Sequence, residues 1–161
     1  MSKGDTQFIL IFIQQMARYL IQRYCDKYKN MTLETLNYKG LTFCVNKELD
    51  YIELIVDKEN FDNKEKYIYS MSYMLELLLH KLPSYLIINK LNSSFEIQKE
   101  MFNFTRNNIF QPLKSSGIKR FIFLVKEDEY NLRYKRIGDF EPDAIAFTSK
   151  ENIEKWIAIN N

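Results

Sequence analysis

The chain has 161 residues, 46% of them apolar, and its 23 lysines and arginines nearly balance its 21 aspartates and glutamates. This length predicts a domain that buries its core without disulfide or metal staples. The net charge of +2 is too small to indicate nucleic-acid binding, so we expect no nucleic-acid partner.

Few residues are available for metal or nucleophilic chemistry. There is one histidine, His80, and the two cysteines, Cys25 and Cys44, have no spacing typical of a metal site. The four glycines form neither a phosphate-binding loop nor a nucleophile elbow. We therefore expect no catalytic residue, no metal, no cofactor and no enzyme. Two reduced thiols favour a cytoplasmic protein.

The first predicted element is an amphipathic helix over residues 6–29, in an N-terminal segment delimited as 1–32. Apolar side chains share one helical face, and Gln14, Arg18 and Gln22 share the opposite face. Packing against its own domain or a second copy is the simpler interpretation. Basic residues make peripheral contact with the inner membrane the alternative, whereas the apolar run is too short to span a bilayer or to serve as a signal peptide. Met31 is an alternative start of the protein.

A hairpin and a helix are predicted next. LTFCVN (41–46) and YIELIV (51–56) are rich in β-forming residues, and the four residues between them indicate an antiparallel turn. A helix capped by Asp62-Asn63 then runs to about Lys81, before Pro83. Helical spacing gives this helix an inward face. The predicted inward positions are Ile68, Met71, Leu75, Leu78 and Leu82.

The second half of the chain alternates strands and helices. Residues 85–88, 121–125 and 144–147 are short apolar runs typical of buried strands. A helix is predicted over 94–113, with Gly117 as its C-terminal signal, and another over 150–159 after Thr148-Ser149. The predicted core side of the first of these helices carries Ile97, Met101, Phe104 and Ile109, and the second helix carries Ile153, Trp156 and Ile157. The polar and mixed sequence of residues 127–141 predicts a long connection or a poorly formed helix.

This order predicts an α/β domain over residues 33–161. Its small mixed sheet has about five strands, with an antiparallel hairpin followed by parallel strands. Right-handed crossovers join the parallel strands, and helices flank the sheet.

The pattern over residues 36–156 resembles the SpoIIAA-like proteins, relatives of the STAS domain. LTFCVNKELDYIELIV looks like the opening hairpin of that family, and AIAFTSKENIEKWI looks like its closing strand and Trp-bearing helix. YLIINKLNSSFEIQKEMFNFTRNNIFQPLKSSGIKRFIFLV is similar to its strand, loop, helix and strand core. The N-terminal helix lies outside the resemblance.

The resemblance implies a non-catalytic domain that binds partner proteins. Some members are switched by phosphorylation of a serine at the start of the helix after a central strand, which corresponds here to Ser93 or Ser94. The acidic residue and the glycine that usually flank the serines are Asn92 and Phe95 in this chain. Other relatives of the fold bind lipids or other apolar molecules.

Two interpretations of the serine pair follow from the residues. Ser93 with Glu96 three positions later predicts a capping box at the start of the helix. Phosphorylation of Ser93 or Ser94 is the alternative, because a helix N-terminus tolerates negative charge. Nucleophilic catalysis is not expected, since nothing places a base nearby.

The carboxyl ends of the predicted strands form the expected binding edge, because ligands of open α/β sheets bind there. Besides the serines, this edge includes Asn89, Asn92, Glu127, Asp128 and Thr148. We expect a regulatory or protein-interaction domain that binds a protein partner or self-associates. The alternative is a carrier or sensor of a small apolar, lipid-like ligand, with residues 6–29 at a membrane surface.

Overall fold

The computed structural model of the chain describes residues 33–93 and 98–161. The helix predicted over 6–29, together with Cys25, Ser94 and Ile97, lies outside these residues.

Within the described residues, six strands form one mixed sheet and neighbour one another in chain order. The strands are β1 (Glu34–Tyr38), β2 (Leu41–Asn46), β3 (Tyr51–Ile55), β4 (Tyr85–Asn89), β5 (Arg120–Leu124) and β6 (Ala144–Phe147). Pairing is antiparallel from β1 to β3 and parallel from β3 to β6. The predicted α/β class, hairpin and parallel strands are confirmed.

The prediction of about five strands was wrong, because it omitted β1. The sequence ETLNY of this strand is mainly polar and mostly exposed, so it lacks the apolar signal of a buried strand. β1 pairs with β2 through its backbone, from Glu34 opposite Val45 to Tyr38 opposite Leu41. Lys39 and Gly40 connect the two strands with φ angles of 49° and 84°, the positive values that a two-residue hairpin turn requires.

Helices fill the connections and follow the last strand. They are α1 (Lys58–Phe61), α2 (Lys64–Lys81), α3 (Lys99–Thr105), α4 (Gln111–Ser115), α5 (Glu127–Glu129), α6 (Ile137–Phe140) and α7 (Lys150–Asn160). A π-helical turn, Arg106–Phe110, joins α3 to α4, and another, Tyr130–Tyr134, follows α5.

The cap of α2 was predicted correctly, but its inward face was predicted only in part. The Asn63 side chain accepts a hydrogen bond from the Lys66 amide at 3.0 Å. Met71 and Leu78 are buried, as expected, whereas Ile68 and Leu75 are half-buried. Leu82 was wrongly placed inside, since it ends the helix in the left-handed conformation and is 54% exposed.

The helix predicted over 94–113 is not continuous. Gln98 has extended backbone, and α3 starts at Lys99. A single helix that runs through residue 98 is therefore wrong, while the proposed capping box of Ser93 lies partly outside the described residues. Met101 and Ile109 are buried and Phe104 is partly buried, as predicted.

The sheet is covered on both faces. Leu54, Ile88 and Phe123 lie on one face and belong to a core that includes buried residues of α2, α3 and α4. On the other face α7 buries Ile153 and Ile157 and brings Trp156 edge-on to Tyr85. Strands β4 and β5 are therefore apolar on both sides, which explains their continuous apolar sequences.

Candidate functional site

A cavity of about 160 Å³ lies at the carboxyl ends of the parallel strands. Its sheet side includes Val56, which follows β3, Ile88 of β4 and Phe123 of β5. Backbone hydrogen bonds extend the strand pairing here, from the Lys90 amide to the Leu124 carbonyl at 2.8 Å, for example. Open parallel sheets bind ligands at this edge.

The walls of the cavity are mainly apolar and aromatic. The helix-side residues that line it include Tyr67, Met71, Phe102, Phe110, Tyr134 and Ile137. The Phe110 ring stacks on Phe121 with centroids 4.0 Å apart, and the Phe123 ring lies 5.3 Å from that of Tyr134. Rings held in this way against the sheet give the cavity fixed walls.

Lys90 lines the cavity although it is only 3% exposed. Its amine donates to the Tyr134 hydroxyl at 3.2 Å and to Glu129 Oε2 at 3.3 Å. The same nitrogen lies 5.3 Å from the centroid of the Tyr134 ring. Lysines are almost never fully buried unless they are paired, and these contacts offset the cost of desolvating the ammonium group.

Tyr67 and Thr105 add a second polar group to the cavity. Thr105 Oγ1 lies 2.8 Å from the Met101 carbonyl and 2.6 Å from the Tyr67 hydroxyl. A carbonyl only accepts, so the threonine proton goes to Met101 and the tyrosine donates to Thr105. Burial raises the pKa of Tyr67 and of Tyr134, and Glu129 raises the pKa of Tyr134 further. Both phenols therefore stay protonated at neutral pH.

π-Helical turns bring residues to this cavity from two connections. The first contributes Phe110 and precedes Pro112, which has no amide to continue an α-helical ladder. The second contributes Arg133 and Tyr134, and the Lys135 amide bonds the Tyr130 carbonyl at 2.8 Å. Turns of this kind are frequent at functional sites.

A separate polar cluster lies on the opposite face of the sheet, around Glu53. Asn89 Nδ2 donates to Glu53 Oε1 at 2.7 Å, and the Lys150 amine donates to Glu53 Oε2 at 2.6 Å. Cys44 is the β2 partner of Glu53, and burial raises the pKa of its thiol, as does the nearby carboxylate. The hydrogen bond from Lys150 to Glu53 ties the start of α7 to strand β3 of the sheet.

The residues predicted from the sequence to form the binding edge are distributed over several environments. Glu127 and Thr148 line a second, more open groove together with Asn152. Asn89 is half-buried and faces Glu53, whereas Asn92 and Asp128 are exposed. This edge therefore has no single cluster that contains all five.

Ser93 is 1% exposed, and its amide donates to the Lys90 carbonyl at 3.1 Å. It lies in the same turn as the cavity lysine. Phosphorylation of Ser93 or Ser94 stays a prediction, and Ser94 lies outside the described residues.

Sequence reasoning did not select Lys90, Glu129 or Tyr134. A lysine directly after the buried strand YLIIN was the available signal, since it lies at the carboxyl end of a parallel strand. Tyr134 had no comparable signal, because residues 127–141 showed no regular periodicity. Its contact with Lys90 depends on the turn that follows α5.

Between residues 33 and 93 and between 98 and 161, no three His, Cys, Asp or Glu side chains are grouped as metal ligands. No helix in these ranges has the length and apolarity needed to cross a membrane. Comparisons with family models, curated proteins and solved structures found no match to the chain.

Proposed function

We propose that this domain is a non-catalytic binding module that senses or carries a small, mainly apolar ligand. The observation behind the proposal is the cavity at the strand ends, with aromatic walls and Lys90 buried within it. Ligand sites are commonly concave and apolar, with a few placed polar groups. We include the SpoIIAA-like resemblance in the proposal, because apolar ligands are known among relatives of that fold.

A regulatory role is compatible with this proposal. Ser93 and Lys90 share one turn through a 3.1 Å backbone hydrogen bond, so a ligand that contacts Lys90 also touches the turn that holds the candidate phospho-acceptor. A protein partner that binds at this edge would then respond to occupancy of the cavity. Native mass spectrometry of the gently purified protein tests this regulatory role. A small-molecule adduct together with a copurified protein or a phosphate on Ser93 supports it, and a bare chain counts against it.

Binding itself is tested by titrating the isotopically labelled full chain with toluene and following its amide resonances. We expect shifts concentrated at Val56, Ile88 and Phe123, since toluene is close in size to the cavity. Val56→Phe places a ring in the space and should abolish the shifts.

Ile159→Phe is the matched control, because it adds the same ring at a side chain that is 82% exposed. It should leave toluene binding unchanged. Absence of shifts in the unmodified protein, or shifts that persist in folded Val56→Phe, would count against the proposal.

A further inference from the structure

We propose that the ligand is a small neutral carbonyl compound, whose oxygen accepts a hydrogen bond from the Tyr134 hydroxyl and whose apolar body is about the size of a benzene ring. This inference rests on the proposed function, because it specifies the ligand class of the same cavity.

Tyr134 has a proton to offer to a ligand. Its side chain lines the cavity and is 9% exposed. The hydroxyl oxygen accepts from the Lys90 amine at 3.2 Å, since an ammonium group has only donors. A phenol that accepts in this way still holds its own proton. Within residues 33–93 and 98–161 no acceptor is bonded to that proton, and a buried donor without an acceptor is costly.

The other hydroxyl groups of the cavity have already used their protons. The Tyr67 hydroxyl donates to Thr105 Oγ1 at 2.6 Å, and Thr105 donates to the Met101 carbonyl at 2.8 Å. Each of these hydroxyls has a single proton. The hydroxyl that can donate to a ligand is therefore that of Tyr134.

The charges near Tyr134 favour a neutral ligand. Lys90 already pairs with Glu129 at 3.3 Å. Arg133, the other cation that lines the cavity, has interactions of its own. Neither cation therefore requires a charge from the ligand. Moving a charged group out of water without a new partner is costly, so a neutral molecule enters this cavity more readily.

A single donor suits a carbonyl oxygen better than a hydroxyl or a primary amide. A carbonyl oxygen only accepts, so one phenol proton satisfies it. A hydroxyl or an amide brings protons of its own, each of which needs a further acceptor in the cavity. Ketones, aldehydes and esters are the neutral groups that meet this condition.

Contacts on the ring of Tyr134 hold the donor in place. The ring lies 5.3 Å from that of Phe123, measured between centroids, and the Lys90 amine lies 5.3 Å from the same Tyr134 ring. Little ordering is then needed when a ligand binds, which favours affinity.

The volume limits the apolar part of the ligand. A dry cavity of about 150 Å³ accommodates benzene, and the cavity here measures about 160 Å³. One ring that carries a carbonyl group matches this space, whereas a long acyl chain exceeds it. The inference thus replaces a lipid-like ligand with a much smaller neutral molecule.

Cyclohexanone and methylenecyclohexane are the probes that test this inference, because they share a shape and differ only in C=O against C=CH₂. Both are titrated into the isotopically labelled full chain. Tyr134→Phe should weaken cyclohexanone binding about fivefold and leave the affinity for methylenecyclohexane unchanged. Tyr69→Phe is the matched control, since it removes a hydroxyl from a side chain that is 63% exposed. It should leave both affinities unchanged.

The infrared stretch of the bound ketone provides a second measurement. A hydrogen bond to the oxygen lowers the frequency of the C=O stretch. Cyclohexanone labelled with ¹³C at the carbonyl should therefore absorb at a lower frequency in the unmodified protein than in Tyr134→Phe. A role of Tyr134 that is only structural would not produce this difference.

The outcomes separate this inference from the proposed function. Toluene binding without cyclohexanone binding, or equal weakening of both probes by Tyr134→Phe, overturns the carbonyl assignment and leaves the cavity as an apolar site. Failure of toluene and both probes to bind overturns the two proposals together. If Tyr134→Phe does not fold, the stretch in the unmodified protein decides. A frequency equal to that of cyclohexanone in an alkane overturns the hydrogen bond.

Discussion

Lys150 and Glu53 meet across one face of the sheet, with the lysine amine 2.6 Å from Glu53 Oε2. The carboxylate is 1% exposed, whereas the lysine side chain is 32% exposed. Asn89 holds the other carboxylate oxygen at 2.7 Å. If its partner is removed, the partly exposed lysine can be solvated by water, whereas the buried carboxylate cannot.

This difference predicts an asymmetry between two substitutions. Lys150→Met leaves a buried carboxylate without its cation and should lower the free energy of unfolding by about 3 kcal/mol. Glu53→Gln leaves a lysine that can turn to water, so the loss should be smaller, about 1–2 kcal/mol. Urea denaturation of both variants measures the order. Lys155→Met, whose partner Glu151 is exposed, is the control and should change stability by less than about 1 kcal/mol. A larger loss for Glu53→Gln would refute this account.

Leu82 provides a test of the helix end. It has φ 49° and is 54% exposed, and the left-handed conformation costs a non-glycine residue about 1–2 kcal/mol. Leu82→Gly should therefore raise the free energy of unfolding by up to about 1 kcal/mol. Thermal or urea unfolding measures the change.

Leu78→Ala is the contrasting variant, since Leu78 is fully buried in α2. It should lose about 2–5 kcal/mol. A comparable loss from Leu82→Gly would mean that Leu82 packs inward, as helical periodicity alone suggested.

Two of the helix caps differ in the length of their hydrogen bonds and therefore predict different losses of stability. Asn63 accepts from the Lys66 amide at 3.0 Å, whereas Ser149 accepts from the Asn152 amide at 3.4 Å. Asn63→Ala should cost about 1 kcal/mol, and Ser149→Ala should cost less because its bond is longer. Chemical denaturation compares them. Equal losses would show that the length of the cap hydrogen bond does not determine how much stability the cap contributes.

We expect the buried Tyr67 to make the stability of the protein decline at high pH. Burial raises its pKa in the folded state, whereas an unfolded tyrosine ionises near pH 10, at about its ordinary value. Below about pH 10 both states hold the proton, so stability is unaffected there. Above it only the unfolded chain releases the proton, so the free energy of unfolding falls as pH rises towards the folded pKa.

Tyr67→Phe should therefore make the decline of stability above about pH 10 less steep. Urea midpoints measured at a series of pH values provide the slope, and the absolute loss from the missing Thr105 bond does not affect it. Tyr69→Phe is the control, since this side chain is 63% exposed, and it should leave the slope unchanged. An unchanged slope in Tyr67→Phe would contradict the prediction.

Sequence reasoning recovered the elements whose signals are local. The apolar runs YLII and FIFLV became β4 and β5 because a strand buried on both faces needs continuous apolar side chains. The run AIAF became β6, in which Ala144 is buried and the other three residues are half-buried. Asn63 was found because a cap depends on the next three residues. β1 was missed, since its register depends on β2 and on a Lys39-Gly40 turn rather than on its own side chains.

The sequence by itself determined the class of the fold, its antiparallel hairpin and the parallel strands that follow, together with the edge where those strands end. Those features follow from hydrophobic periodicity and turn residues, which act over a few positions. Only the tertiary structure decided that Lys90 meets Tyr134 and Glu129, and that Glu53 meets Lys150. These pairs are 39 to 97 residues apart along the chain, so their contacts arise from how the helices pack on the sheet.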